Sequence, residues 1–311
     1  MAKETKQTTR HILMVRPAHF GFNPETAGSN AFQSEDSLLS PKEISRRALD
    51  EFDAFVAALR SEGVDVIVVQ DTDQPVKPDA VFPNNWVTFH EDGTVVTYPM
   101  LSEVRRLERR EDVLQSLAGR FEIKRHIHLE AYERQGKILE GTGSMIIDRP
   151  NALVYACVSP RTHPELLAEF AQMMDYKPVL FKAVDAEGMD IYHTNVMMAL
   201  GETFVVICRQ SISSEKEWAE IARHFEKTGK EVIEITLPQM MSFAGNMLQI
   251  RGKDEERLLV MSSEAYGSLE KKQLEQLERH TRILHQPIPT IEKFGGGSVR
   301  CMMAEVFLPE K

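Results

Sequence analysis

The chain has 311 residues, with 37 lysines and arginines against 47 aspartates and glutamates, a net charge of −10, and 42% apolar residues. That balance belongs to a globular protein with ample core, and it disfavours a nucleic-acid phosphate backbone as a partner. Three cysteines are too few for a disulfide scaffold, and no apolar run approaches a membrane span. The start, Met1 to Gln7, is charged and lacks an apolar signal core. A cytoplasmic location is therefore expected, with residues 1–10 as a flexible tail.

In chain order, residues 11–16 read as a first strand, followed by a long polar loop from Pro17 to Ser40 that holds His19, Asn23, Asn30, Phe32 and Gln33. Loops of this length inside compact proteins are usually functional, as lids or binding loops. A helix is expected over Pro41–Glu62, where Ala48, Phe52, Phe55, Val56 and Leu59 fall at helical spacing, and a buried strand over Val64–Val69.

From there a pattern recurs. Short turns rich in small residues or asparagine occur at Pro83-Asn84-Asn85, Gly141-Thr142-Gly143, His193-Thr194-Asn195, Ala244-Gly245-Asn246 and Gly295-Gly296-Gly297. Their spacings, from Asn85 through Gly143, Asn195 and Asn246 to Gly297, are 58, 52, 51 and 51 residues. Each of the first four turns leads into a strand, a polar turn, a second strand, a charged helix and a closing strand. The helices are expected over Leu101–Leu117, His163–Met174, Ser214–Thr228 and Ser268–His280. The charged run from Arg105 to Asp112 reads as a solvated helix face. A period near fifty residues signals a repeated architecture in which each unit buries its face on the next. The amino-terminal strand and helix complete five ββαβ units in a ring, an α/β fold in one domain over 1–311. The alternative is an ordinary α/β sandwich whose spacings agree by accident.

If the five turns converge, residues far apart in sequence become neighbours. Cys301 follows the three glycines, His193 opens the third turn, and Glu140 precedes Gly141; Asn84, Asn85, Asn195 and Asn246 lie on the turns themselves. Cysteine, histidine and glutamate are the parts of thiol catalysis: a nucleophile, a proton carrier and an orienting acid. Taken singly, each has a plainer explanation: a buried cysteine in a glycine hairpin, an ordinary hydrogen-bonded histidine, a strand-end charge. Their placement at equivalent points of a repeat favours the catalytic one. Cys157 and Cys208 sit in apolar runs and read as packing residues. His126 and His128 alternate on a strand without the further ligands that a metal site needs.

The repeat and the motifs Pro78-Asp79-Ala80-Val81-Phe82-Pro83-Asn84-Asn85, Leu139-Glu140-Gly141-Thr142-Gly143, His193-Thr194-Asn195 and Gly295–Cys301 resemble the pentein superfamily over nearly the whole chain. That superfamily includes arginine deiminases, dimethylarginine hydrolases, succinylarginine dihydrolases and amidinotransferases. Among its subgroups the chain looks most like the bacterial citrulline-utilisation hydrolases. The resemblance implies a pseudo-symmetric five-bladed ββαβ propeller and a hydrolase working without cofactor or metal. It implies Cys301 as nucleophile, His193 as general acid/base and Glu140 as the acid that holds a substrate nitrogen. Where deiminases of cationic substrates carry aspartate, this chain has Asn85 and Asn195. An amide offers both a donor and an acceptor, which suits a neutral ureido group better than a guanidinium.

The expected function is therefore cytoplasmic C–N hydrolysis of a small ureido amino acid, citrulline first. Cys301, His193 and Glu140 are the expected catalytic residues. Asn84, Asn85 and Asn195 would hold the head, and the Pro17–Ser40 loop, with Arg16 at its mouth, the amino-acid end. No nucleic-acid or membrane partner is expected, and a homo-oligomer is compatible with the sequence. The alternatives are a guanidino deiminase or dihydrolase, an amidinotransferase, and a non-catalytic member of the fold that binds a macromolecule.

Overall fold

The computed structural model describes residues 5–35 and 38–311. The strands form five three-stranded sheets. The first combines Val87–Phe89, Thr94–Thr97 and Arg125–His128. The second and third combine Ile146–Asp148, Leu153–Cys157 and Lys177–Phe181, then Met198–Leu200, Phe204–Ile207 and Glu231–Glu234. The fourth takes Leu248–Arg251, Arg257–Ser262 and Arg282–Gln286. In each, the first strand runs antiparallel to the second, and the second parallel to the third. A parallel pair cannot be closed by a hairpin and needs a crossover. Helices Pro164–Met173, Glu215–Lys227 and Lys271–Glu278 supply it in the second to fourth sheets.

The fifth sheet is made from both ends of the chain. Ala304–Glu305 pairs antiparallel with His11–Arg16, in register Ile12 to Glu305 and Leu13 to Ala304. His11–Arg16 in turn pairs parallel with Asp65–Gln70 across the helix Pro41–Ser61. That helix starts where Ser40 accepts a hydrogen bond from the Glu43 N–H and Pro41 presets the first turn. It buries Ile44, Ala48, Phe52, Phe55, Val56 and Leu59. The fold is the five-bladed α/β propeller that the repeat implied.

Two local expectations fail. The helix expected over Leu101–Leu117 is two short ones, Glu103–Arg106 and Glu111–Ala118, because Arg110 is extended between them and Glu108 turns inward to Arg105. The expected tail is ordered from Gln7, since Gln7, Thr8 and Thr9 are buried and bonded to Ile147, Glu202 and Val306. Residues 1–4 of that tail lie outside the described residues. Among the described residues no helix is long and apolar enough to cross a membrane.

The turns at the head of each inner strand meet and bond in sequence around the ring. Asn84 Nδ2 donates to Thr142 Oγ1 at 3.3 Å, and Thr194 Oγ1 to the Ser144 carbonyl at 2.5 Å. Asn246 Nδ2 donates to the Asn195 carbonyl at 3.0 Å, and the Arg300 N–H to Asn246 Oδ1 at 3.1 Å. Glycine is what allows the approach. A methyl group on Gly141, whose φ is +46°, would lie 2.3 Å from the Asn84 carbonyl oxygen, and one on Gly245 would lie 2.2 Å from that of Val196. Gly141→Ala therefore combines left-handed strain with backbone overlap and is expected to cost about 2–4 kcal/mol of unfolding free energy. Urea unfolding checks this; an unchanged midpoint would mean that the turns are not in such contact.

Candidate active site

Cys301 lies in the turn that follows the glycines, its N–H donating to the Ser298 carbonyl at 2.9 Å. Its side chain is nearly buried, 4% exposed, and meets the amides of two other turns: Asn195 Nδ2 at 3.4 Å and Asn246 Nδ2 at 3.2 Å. The remaining cysteines are core residues. The Cys157 thiol donates to the Ile191 carbonyl at 3.3 Å, and burial pushes it up to about 12. Cys208 is fully buried, which raises its thiol as well.

His193 and Glu140 occupy equivalent places, each capping a short helical turn, Thr194–Met197 and Gly141–Ser144, so the ring brings them together with His193 Nε2 2.8 Å from Glu140 Oε2. Glu140 also accepts from the Leu101 N–H at 2.9 Å and from Arg161 at 3.5 Å. Burial alone would favour its neutral form, but Arg161, His193 and Arg105 hold the carboxyl well below the usual range. For His193 burial prevails over the pull of Glu140 and pushes the imidazole down to about 4. An ionised Glu140 takes its hydrogen bond from Nε2–H, which leaves Nδ1 as the basic nitrogen of a neutral ring. Glu140 thus faces the Nε2 side of His193 and is bonded to it directly.

The cavity beside Cys301 and His193 is walled by Asn85, Asp79, Arg105, Arg161, Tyr192, Phe82 and the three glycines, with Thr26 and Asn30 over it. Arg105 is buried, not part of a solvated face. It grips Glu108 through Nε and Nη2, lies 3.7 Å from Asp79, and donates from Nη1 to Asn85 Oδ1 at 3.0 Å. Arg161 holds Ser29 and the Thr26 carbonyl and lies over the Tyr192 ring. Through these contacts, and through Asn23 to Asp79 at 2.7 Å and Asn30 to the Gly295 and Gly296 carbonyls, the described part of the Pro17–Ser40 loop roofs the cavity. Residues 36 and 37 of that loop lie outside the described residues.

Of the residues expected at the substrate, Asn85 lines the cavity. Asn195 is on the sulfur, and Asn84 is engaged with Thr142 behind the wall. Arg16 is not at the site: its guanidinium is paired with Asp53 on the outer helix and with Gln70. Sequence reasoning missed Arg105 and Arg161. One signal was available: inner strands leave the turns and second strands return to them, so residues just past a second strand come back to the site. Arg105 and Arg161 both follow second strands, ending at Thr97 and Cys157.

The family model of N,N dimethylarginine dimethylhydrolase, eukaryotic, matches residues 16–308. The chain belongs to that family. No curated protein matches it significantly in sequence. Solved structures share the fold: the N-terminal domain of ArgZ, a cyanobacterial arginine dihydrolase of the ornithine-ammonia cycle, superposes with a TM-score of 0.75 at 17% identity, over 96% of this chain and 98% of that one. A dimethylarginine dimethylaminohydrolase variant carrying an S-methyl-L-thiocitrulline adduct superposes with a TM-score of 0.64 at 16% identity, over 96% and 100%. This member of the dimethylarginine dimethylhydrolase family is thus a pentein-fold C–N hydrolase by kinship.

Gly143 is the point where two site residues close on one backbone atom. A methyl group there would lie 2.4 Å from Asn85 Nδ2 and 2.8 Å from His193 Nδ1. Gly143→Ala is expected to displace both side chains and lower kcat/KM by about a hundredfold or more, an effect typical of small misplacements at a reacting centre, with the fold retained by circular dichroism. Near-parental turnover would remove that geometry from catalysis. The depressed imidazole sets the pH profile. With neutral His193 as the active form expected from the sequence, kcat/KM should hold down to about pH 5 and fall as the ring protonates near 4. An acid limb near 6.5, the ordinary histidine value, would mean that His193 is not depressed as described.

Proposed function

We propose that the chain hydrolyses the ureido group of citrulline. The observation that supports it is the orientation of Asn85. Arg105 has only donors, so its bond to Asn85 fixes Oδ1 toward the guanidinium and leaves Nδ2 as the group offered to the cavity. That Nδ2 is buried and has no partner among the described residues. A ureido oxygen would accept from it, whereas a guanidinium has only N–H groups and would leave donor facing donor. The amino-acid end has matching groups: Arg105 and Arg161 for a carboxylate, and the unpartnered Asp79 Oδ1 for an ammonium.

In this reading the Cys301 sulfur bonds to the ureido carbon while its proton passes to the His193 imidazole. His193 returns that proton to the departing nitrogen, ammonia leaves, and an S-carbamoyl intermediate remains. His193 then takes a proton from water, hydroxide displaces the sulfur, and the carbamate decomposes to ornithine and CO₂. The three free thiols fit the reducing cytoplasm to which we assign the protein.

A second reading is a dihydrolase or deiminase of a guanidino compound, favoured by the family's dimethylarginine name. The discriminating experiment incubates the enzyme with citrulline, arginine and dimethylarginine and identifies the products. Citrulline should give ornithine and ammonia, and Cys301→Ser should stop turnover; citrulline or ornithine released from arginine or dimethylarginine, with citrulline itself left unhydrolysed or turned over far more slowly, would establish the second reading. Asn85→Asp exchanges the free donor for an acceptor of almost equal shape. The ratio of kcat/KM for citrulline over arginine should then fall about ten- to a hundredfold, the effect of one hydrogen bond to a charged group.

A further inference from the structure

We propose that Asn195 and Asn246 form a two-amide cradle that holds the negative charge of the Cys301 sulfur, which makes Asn246 a catalytic residue. The proposal rests on Cys301 being the nucleophile. Asn246 is tied at every polar position: Oδ1 accepts the Arg300 N–H, and Nδ2 donates to the Asn195 carbonyl at 3.0 Å and to Sγ at 3.2 Å. The backbone bond on Oδ1 fixes which end of the amide faces the sulfur. The Asn195 amide reaches Sγ from the neighbouring turn at 3.4 Å. The sulfur therefore receives two N–H groups from two blades of the ring.

Cys157 provides the contrast within the same molecule. It too is buried, and the Thr194 hydroxyl lies 3.4 Å from its sulfur, but that sulfur has a proton acceptor against it, the Ile191 carbonyl at 3.3 Å, and burial keeps the proton on the thiol. Donors that bond the charged form of a group favour that form, and in a dry site they need no reorganisation as charge develops. No hydrogen bond joins Cys301 to His193 among the described residues, so the amides are the groups in contact with the sulfur that receive the charge developing there as its proton leaves.

The test is alkylation of Cys301 by iodoacetamide without substrate, followed by mass spectrometry across pH 5–10 in a Cys157→Ser, Cys208→Ser background. Asn246→Asp keeps the shape and the bond to the Arg300 N–H but turns a carboxylate oxygen toward the sulfur. Alkylation at pH 7 should slow about tenfold or more, and its pH profile should move to higher pH, as loss of a charge-assisted hydrogen bond requires. Should Asn246→Asp fail to fold, Asn246→Ser and Asn195→Ala are expected to show the same displacement to a smaller extent. An unchanged profile in folded variants would overturn the cradle. If Cys301→Ser itself retains turnover, the nucleophile assignment fails instead, and the two failures are told apart.

Discussion

The contact on which the rest of the molecule depends is the meeting of five turns at the ring's centre. Backbone that crowded is tolerated only if its polar groups are satisfied and side chains are kept out of the overlaps. Here both conditions are met in the same residues. Gly141 and Gly245 remove the atoms that would collide with the preceding turn. Thr142, Thr194 and Asn246 link each turn to its predecessor. The chemistry is built from what is left over at those turns, so the scaffold contacts and the reacting groups are adjacent residues of one short motif. Thr194 bonds the second turn while its neighbours His193 and Asn195 serve the ring nitrogen and the sulfur.

The second constraint is charge. Arg105, Arg161, Asp79, Glu108 and Glu140 are all nearly or fully buried around one small cavity. Removing isolated ions from water is costly, and each must be compensated locally. Glu140 is compensated by Arg161 and His193, Glu108 by Arg105, and Asp79 by Asn23 and Arg105. Burial still pushes the Glu108 carboxyl up to about 7 and raises that of Asp79. Two arginines at the wall face three carboxylates, and the one carboxylate oxygen left without a partner in the cavity is Asp79 Oδ1. If that oxygen takes the ammonium of an amino-acid substrate, as proposed above, a guanidinium head finds no further unpartnered carboxylate oxygen among the described residues of the cavity, while a neutral head asks for none.

Much of this was legible in the sequence, for a physical reason. A repeat forces equivalent positions to the same place, so spacing alone brought Cys301, His193 and Glu140 together before any contact was known. What was not legible depends on side-chain direction within an element. Arg105 stands in a run of charges that holds both buried and exposed members, from Glu108 to Glu111 and Asp112, and nothing in Arg105-Arg106-Leu107-Glu108 marks the first and last as turned inward. The break before Glu111 follows from that inward turn and not from a proline or glycine. Arg16 failed for the converse reason. Its position at the mouth of the loop is as expected, but the facing helix offers Asp53, and a bidentate carboxylate outweighs a distant cavity.

The topology also ties reactivity to completion of the fold. Cys301 precedes the strand Ala304–Glu305, whose partner is the first strand of the chain. The donors to its sulfur come from the third and fourth blades, and the histidine and glutamate from the turns heading the third and second. No subset of consecutive blades contains a nucleophile, its amide donors and the His193–Glu140 pair without the closing strand at the far end of the sequence. A thiol surrounded by donors is hazardous in a partly folded chain, since thiolates attack indiscriminately. Placing the cysteine in the last blade means that the sulfur meets Asn195 and Asn246 only when the ring has closed, so the contacts proposed to activate it are also the ones that enclose it.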